Sequence, residues 1–291
     1  MRTPPTVMPA LVTPFTRRGD LDGDAHVSNV AELERRGLTG FVLAGSTGQG
    51  PYLEPDERRR LVEGARRAAP AAYLLCGVAA ESLRGALAQI DEAAGAGADA
   101  SLVLTPTTLV RGRHRLVRRF FADVADRSPL PVFLYSVPGV TGYELPVDVV
   151  ADLAAHDTVV GMKDSGGHPV RARSIVASAP EGFLLYGGAS RAVALTRAAG
   201  ARGAITASAN YAAALVGKVV GARSMSAATE PQDRLTRLVT VVERHGLPGT
   251  SAAADLTGLD VGTPRRPLRP VTASVRRDIA SALDAAGIPV R

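Results

Sequence analysis

Eight short apolar segments, each followed by a segment of helical character, run through most of this 291-residue chain. They begin about 20 to 33 residues apart, which leaves room for a helix between successive strands. Strict alternation of strands and helices requires a parallel sheet, because parallel neighbours must be joined by a crossover. The predicted strands cover residues 7–13, 40–44, 73–78, 100–104, 131–135, 159–163, 183–186 and 203–207.

Eight such units predict a closed (β/α)8 TIM barrel, an α/β fold that typically takes about 250 residues. A doubly wound open sheet is the alternative, but the first strand-to-helix junction lacks the G-x-G-x-x-G pattern of that fold. The glycine-rich sequence GSTGQG at residues 45–50 follows the second strand instead, with a different spacing. The pattern therefore favours the barrel.

The chain becomes purely helical after Ala209, with predicted helices at residues 211–226, 230–245 and 271–286. We therefore expect a C-terminal three-helix extension over residues 209–291. It should pack on the barrel of residues 1–208 and form one structural unit with it.

A tyrosine and a lysine end two consecutive predicted strands, Tyr135 in PVFLYSVPGVTG and Lys163 in VVGMKDSGG. If these strands are neighbours, the phenol and the amine meet at the carboxyl end of the barrel, where barrel enzymes hold their chemistry. A buried ammonium is costly unless it is paired or neutral, and a neutral amine attacks carbonyl carbon.

Composition strengthens the interest in Lys163. The chain has 34 lysines and arginines, and only Lys163 and Lys218 are lysine. Arginine keeps its charge and cannot form an imine, so Schiff-base chemistry requires lysine. Lys218 lies in a helical stretch and is interpreted as an ordinary helix residue.

The loop after the second strand adds polar groups to the same end of the barrel. Ser46 and Thr47 supply hydroxyls, and Gly48 lets the backbone approach a ligand, so the loop would suit a carboxylate. A plain loop remains the alternative. Thr108, Gly188 and Ile205 also fall on or just past predicted strand ends.

Other features of the composition limit the function. The single cysteine, Cys76, excludes an internal disulfide and suits a reducing compartment. The proline-rich N-terminus does not resemble a signal peptide, and no segment approaches the roughly 20 apolar residues of a membrane span. We therefore expect a cytoplasmic protein. The basic run at 111–119 is interpreted as a solvated helix face, since nucleic-acid binding favours interleaved aromatics. The five histidines show no ligand spacing, so no metal is predicted.

At the level of motifs the chain resembles the dihydrodipicolinate synthase and N-acetylneuraminate lyase superfamily of pyruvate-dependent class I aldolases, nearly end to end. The resemblance rests on LVTPF near the start, the G-[ST]-T-G loop, LYSVP, GMKDSGG, GGAS and GAITASAN. The segments LYSVPGVTGYELPVDVV, VVGMKDSGG and HGLPG are most similar to 4-hydroxy-2-oxoglutarate aldolase.

The resemblance implies a role for each matching position. Lys163 would form a Schiff base with pyruvate or a longer 2-oxo acid, and Tyr135 would act as general acid and base. Ser46 and Thr47 would bind the carboxylate and relay protons. The pocket would also include Gly48, Thr108, Val140, Ser165, Gly188 and Ile205. No cofactor or metal is implied, because the iminium is itself the electron sink. A homotetramer built from dimers is implied.

Three positions depart from the family pattern. Gln49 stands where the loop usually has glutamate. Val140 stands where dihydrodipicolinate synthases have an arginine that binds the distal carboxylate of their aldehyde. Thr108 stands where a tyrosine usually reaches into a neighbouring subunit's site.

We therefore expect a lyase that acts on a 2-oxo acid and an aldehyde through Lys163. One alternative is a synthase or hydratase-aldolase with a less polar aldehyde. Another is a non-catalytic homologue that binds a 2-oxo acid as a sensor or scaffold. A phosphate-binding barrel that uses GGAS and GAITAS is a third alternative, but it leaves Lys163 and Tyr135 unexplained.

Overall fold

Eight parallel strands form a closed barrel in the computed structural model, which describes residues 2–291. The strands pair in the order β1-β8-β7-β6-β5-β4-β3-β2. A parallel bridge between Ala10 and Val42 closes the ring, with the Leu11 N–H donating to the Val42 carbonyl at 2.9 Å. The strands are β1 Val7–Pro9, β2 Gly40–Leu43, β3 Tyr73–Val78, β4 Ala100–Leu104, β5 Val132–Ser136, β6 Val159–Asp164, β7 Leu184–Gly187 and β8 Gly203–Thr206. The predicted (β/α)8 barrel is confirmed.

At least one helix follows each strand, and further helices follow the last barrel unit. Their bounds are α1 Gly23–Arg35, α2 Glu57–Ala68, α3 Leu83–Gly95, α4 His114–Ala125, α5 Pro138–Thr141, α6 Val147–Ala154, α7 Pro169–Ser178, α8 Val193–Ala198, α9 Ala213–Val220, α10 Met225–Glu243, α11 Gly246–Leu256 and α12 Ala273–Ala285. Within residues 2–291, none of them combines the length and the apolar character that a membrane crossing needs.

The C-terminal region differs from its prediction in the number of helices. The predicted helix at 211–226 is two elements, because α9 ends at Val220 and the Ser224 hydroxyl caps a new helix by accepting from the Ala227 N–H. Helix α11 was not predicted, and Gly246, Pro248 and Gly249 at its start are residue types that usually interrupt a helix. Helices α8 to α12 share one apolar cluster, so the C-terminal helices continue the outer layer of the barrel.

The barrel interior is filled with apolar and aromatic side chains below the carboxyl ends of the strands. Its buried members are Met8, Ala10, Val42, Tyr73, Leu75, Ala100, Leu102, Phe133, Tyr135, Val137, Tyr186 and Ile205. Gly161 on β6 has no side chain because a Cβ there would lie 2.5 Å from Phe133 Cε1. The Phe133 ring thus takes the space that β6 leaves, and the next inward position on β6 is Lys163.

A buried histidine joins the first two helices outside the barrel. His26 on α1 is 1% exposed, and its Nε2 lies 2.8 Å from the Leu61 carbonyl oxygen on α2. Burial lowers the pKa of His26 to about 4, and the charge of Arg67 acts in the same direction against the hydrogen bond to Leu61. His26 is therefore neutral in the folded chain at pH 7.

Acid should destabilise the fold through His26. The pKa of His26 is lower in the folded than in the unfolded chain, so acid protonates the unfolded chain first and lowers the free energy of unfolding. The contribution of neutral His26 to that free energy is complete above about pH 6.5 and is lost as the pH falls towards 4. Between pH 7 and pH 5, we expect the free energy of unfolding to fall by about 2 kcal/mol less in His26→Gln than in the wild type. Urea unfolding at both pH values measures it. The exposed His168→Gln should behave as the wild type, and an unchanged pH dependence in His26→Gln would refute the assignment.

Candidate active site

The register of β5 and β6 places a phenol beside an amine. Tyr135 pairs directly with Lys163 across the two strands, and both side chains are 4% exposed. The Lys163 Nζ donates to the Tyr135 hydroxyl at 3.4 Å and lies 4.6 Å from the centre of its ring. The Thr105 hydroxyl donates to the Tyr135 carbonyl at 2.8 Å, which fixes the backbone that carries the phenol.

Lys163 has no anionic partner in the described part of the chain, where no ion pair involves it. The phenol of Tyr135 is its one hydrogen-bond partner there. Desolvating an amine without a counter-ion is costly, and such sites are often functional. Because no salt bridge engages the amine, its nitrogen is available to attack a carbonyl carbon.

The hydroxyl of Ser46 extends this contact towards the second strand. The Tyr135 hydroxyl donates to Ser46 Oγ at 3.4 Å. The loop that carries Ser46 leaves β2 sharply, since Ala44 and Gln49 both adopt positive φ. The Thr13 hydroxyl fixes the far side of this loop by donating to the Gly48 carbonyl at 2.7 Å. Lys163, Tyr135 and Ser46 thus form a continuous polar path suited to proton transfer.

Gly188 lies against the lysine on its other side. A Cβ at this position would lie 3.1 Å from Lys163 Cε and 2.2 Å from the Ser165 hydroxyl oxygen. The Gly188 N–H donates to the Asp164 carbonyl at 2.7 Å, which continues the pairing of β6 with β7. The structure therefore brings together Lys163, Ser165 and Gly188, and a side chain at position 188 would displace the Ser165 hydroxyl.

The remaining predicted residues lie at different depths. Ile205 is fully buried on β8 in the same interior cluster as Tyr135. Thr47 is half-buried beside Ser46. Val140 is 67% exposed, and Thr108 lies in an exposed turn where its N–H donates to Glu81 Oε2 at 2.9 Å. Within residues 2–291, the Thr108 hydroxyl makes no hydrogen bond to Lys163 or Tyr135, and the Val140 side chain has no group that could make one. Their place in the site stays a prediction.

A buried ion pair beside the lysine was not anticipated from the sequence. Asp164 is 5% exposed and accepts from Arg171 Nε at 3.0 Å. The Arg171 guanidinium also donates to the Leu145 carbonyl, and the Gly166 N–H donates to Asp164 Oδ1 at 3.1 Å. These contacts tie the end of β6, the start of α7 and the chain after β5. The ion pair thereby fixes the direction in which Lys163 leaves its strand.

The structure also explains Gln49, which lies at the base of the Ser46 loop. Gln49 is 4% exposed, and its Oε1 accepts from the Arg265 N–H at 2.9 Å, so its side chain faces the C-terminal segment. Arg265 in turn binds both oxygens of Glu57 at 2.7 Å. Burial acts to raise the pKa of Glu57, but the hydrogen bonds from Arg265 and the Glu54 N–H hold it below its usual range.

No group of three or more His, Cys, Asp and Glu side chains among residues 2–291 is arranged to hold a metal ion. The expectation that the reaction needs no metal or other cofactor stays a prediction.

The fold and the site geometry describe a (β/α)8 barrel with its polar groups at the carboxyl ends of the strands. The Dihydrodipicolinate synthetase family matches residues 3–286, and the chain belongs to this family. Its members are carbon–carbon lyases that act as pyruvate-dependent aldolases or synthases, and the chain is a lyase of this class. The resemblance drawn from the motifs is thereby confirmed for the family.

Individual relatives agree with this assignment over nearly the whole chain. A 4-hydroxy-tetrahydrodipicolinate synthase of an Exiguobacterium species is 30% identical, covering 96% of both chains. The 4-hydroxy-tetrahydrodipicolinate synthase 1 of Streptomyces coelicolor is 34% identical, covering 95% of this chain and 91% of its own. Among solved structures, a chloride-inhibited dihydrodipicolinate synthase from Acinetobacter baumannii complexed with pyruvate is 27% identical. It superposes with a TM-score of 0.91, covering 98% of this chain and 100% of its own.

Proposed function

We propose that this lyase works through a Schiff base between Lys163 and the keto carbon of pyruvate or of a longer 2-oxo acid. The observation that carries the proposal is the buried Lys163 amine, 3.4 Å from the Tyr135 hydroxyl and without an anionic partner in the described chain. An imine requires a lysine with space around its terminal atoms. Gly188 supplies that space beside Lys163 Cε.

The reaction can be written with the residues of this chain alone. The Lys163 amine adds to the keto carbon, and the keto oxygen leaves as water after it takes up protons. In cleavage, the bond between C3 and C4 of a 4-hydroxy-2-oxo acid breaks, and its electron pair moves into the iminium to give an enamine. The Tyr135 phenol gives its proton to the departing keto oxygen, and the phenolate that this leaves takes up the 4-hydroxyl proton as the aldehyde departs. Protonation at C3 and hydrolysis then release pyruvate.

The path from Lys163 through Tyr135 to Ser46 serves the proton transfers of this scheme. Each contact in it is 3.4 Å long, which is loose for a hydrogen bond. Catalytic hydrogen bonds are often long before the substrate is bound and tighten afterwards. Thr47 and Gly48 follow Ser46 in the same loop, and we assign the Thr47 hydroxyl and the amides of these two residues to the substrate carboxylate. Ser165, Gly188 and Ile205 bound the rest of the pocket.

The first substrate we propose is 4-hydroxy-2-oxoglutarate, followed by 2-oxo acids with less polar tails. Position 140, in the short helix α5 that follows β5, carries an exposed valine rather than a cation. A carboxylate at the far end of a long aldehyde needs a paired cation or several donors. Val140 offers neither. The aldehyde released from 4-hydroxy-2-oxoglutarate is glyoxylate, whose carboxylate adjoins the aldehyde carbon and does not extend as far as the distal carboxylate of aspartate semialdehyde.

A second candidate is the activity for which the relatives are named, 4-hydroxy-tetrahydrodipicolinate synthase. One observation favours it. The Arg111 guanidinium lies close against Gly142, where a Cβ would be 2.8 Å from Arg111 Nη1. Arg111 forms no ion pair within residues 2–291. Its guanidinium, which comes from the loop after β4, could therefore supply the cation that Val140 does not.

The remaining proposals concern the state of the protein in the cell. We propose a homotetramer in the cytoplasm that binds neither nucleic acid nor membrane. Analytical ultracentrifugation of the purified protein tests the oligomeric state.

Trapping should identify the nucleophile. Reduction with borohydride in the presence of pyruvate should add one pyruvyl group to Lys163 and none to Lys218, as peptide mass spectrometry would show. Lys163→Arg should abolish the adduct because arginine cannot form the imine, whereas Lys218→Arg should keep it. A full adduct in Lys163→Arg would refute the proposal.

Substrate choice should follow the charge at the mouth of the site. We expect cleavage of 4-hydroxy-2-oxoglutarate to exceed condensation of pyruvate with aspartate semialdehyde, measured by coupled assays on one enzyme preparation. Efficient use of aspartate semialdehyde would favour the second candidate. Loss of that activity in Arg111→Gln, with retention in Arg113→Gln, would then assign the cation.

The two hydroxyl residues should differ in importance. Tyr135→Phe should lower kcat roughly 10²–10⁴-fold, the usual range for a positioned acid–base group. Thr108→Ala should cost less than about tenfold, because an exposed aliphatic hydroxyl is a weak acid. Steady-state kinetics with intact secondary structure measure both. Thr108→Tyr tests the departure from the family pattern: faster turnover would show that the missing phenol limits proton transfer.

A further inference from the structure

A second cavity, distinct from the lysine site, lies between the β1–α1 loop, the start of α2 and the segment 262–270. Its volume is about 1130 Å³, at or above the range of small-molecule sites, about 300–1,000 Å³. Five of its lining residues are arginines, namely Arg17, Arg18, Arg265, Arg266 and Arg269. We call this cavity the arginine cleft.

Arg265 is the fixed floor of the arginine cleft. Its guanidinium binds both oxygens of Glu57, donates to the carbonyls of Gly19 and Tyr52, and lies 4.1 Å above the centre of the Phe15 ring. Its donors are committed to these partners. Arg265 therefore shapes the cleft and is not the group that would bind a ligand.

The other four arginines are exposed and uncommitted. Within residues 2–291, none of their side chains forms an ion pair or a hydrogen bond with the protein. Arginines are abundant in this chain, but many of them are paired, as Arg118 is with Asp152 and Arg119 with Asp123. Here four unpaired guanidinium groups line one concave surface.

The carboxylates of the cleft do not cancel this charge. Three acids line it, Asp20, Glu54 and Glu57. Glu57 is already neutralised by Arg265, which leaves Asp20 and Glu54 opposite four free arginines. A concave surface with an excess of one charge attracts ligands of the opposite charge.

The wall that carries Arg266 and Arg269 is held in place before any ligand arrives. Pro264, Pro267 and Pro270 restrict its backbone. The Thr263 N–H donates to the Phe15 carbonyl at 2.8 Å, and the Arg265 N–H donates to Gln49. A preorganised wall reduces the ordering cost of binding.

We propose that the arginine cleft binds a small polyanion that carries two or more phosphate or carboxylate groups. The guanidinium fork matches the oxygens of both groups with paired hydrogen bonds. Among residues 2–291, no aromatic side chain lines the cleft, so these residues offer no stacking surface for a nucleobase. The cleft is also continuous, through Arg265 and Gln49, with the loop that presents Ser46 to the lysine site.

Calorimetric titration of the full chain with inorganic pyrophosphate, citrate and inorganic phosphate tests this proposal without using activity. We expect saturable binding of pyrophosphate or citrate at one site per chain, and much weaker binding of phosphate. The tighter of the two polyanions identifies the preferred anionic group. The double variants Arg17→Gln/Arg18→Gln and Arg266→Gln/Arg269→Gln should each weaken binding about tenfold or more.

The matched control is Arg113→Gln/Arg115→Gln, which removes the same charge from two exposed arginines outside the cleft. It should bind as the wild type does. Two results would overturn the proposal: no saturable binding of either polyanion, or equal weakening in the control, which would mean diffuse attraction to a basic surface. Because all substituted side chains are exposed, circular dichroism should show an unchanged fold.

Discussion

The contact between Tyr135 and Lys163 depends on the register of two parallel strands. A shift of one residue along β6 would turn Lys163 outwards and bring Asp164 into the barrel. The register is held by the ladder from Val132 to Ser136 and by the buried pair of Asp164 and Arg171 just beyond it. The barrel places the phenol and amine together, and the ion pair keeps them there.

The fold was predictable because its signal is repeated. Eight apolar segments separated by helices leave few topologies open. The rarity of lysine in the sequence also made Lys163 a candidate site residue. The bounds of β4 and β3 agree with the sequence pattern. Helix α11 was missed because glycine and proline at its start usually mark a break, while tertiary packing of its buried alanines keeps it helical here.

The supporting contacts of the site were not predictable in the same way. Arg171 joins Asp164 across a turn and a helix start, and Gln49 meets Arg265 across 216 residues of chain. Such pairs leave no periodic trace in the sequence. Gln49 is an example. In the sequence it differs from the family pattern only by the absence of a negative charge, whereas in the fold its amide oxygen accepts a hydrogen bond from the Arg265 N–H. A neutral acceptor satisfies that donor without placing another carboxylate beside Glu57.

The ring of Phe133, which occupies the space left open by Gly161, also limits the side from which small molecules can reach Lys163. Phe133, Tyr186 and Met8 are all completely buried, and together they plug the barrel beneath the lysine. The barrel is therefore filled with side chains on one side of Lys163, and the lysine lies towards the carboxyl end of β6. If the proposed imine forms at Lys163, its water and the aldehyde would leave towards the carboxyl face, and the pyruvyl group, which stays bound to the lysine, would leave last.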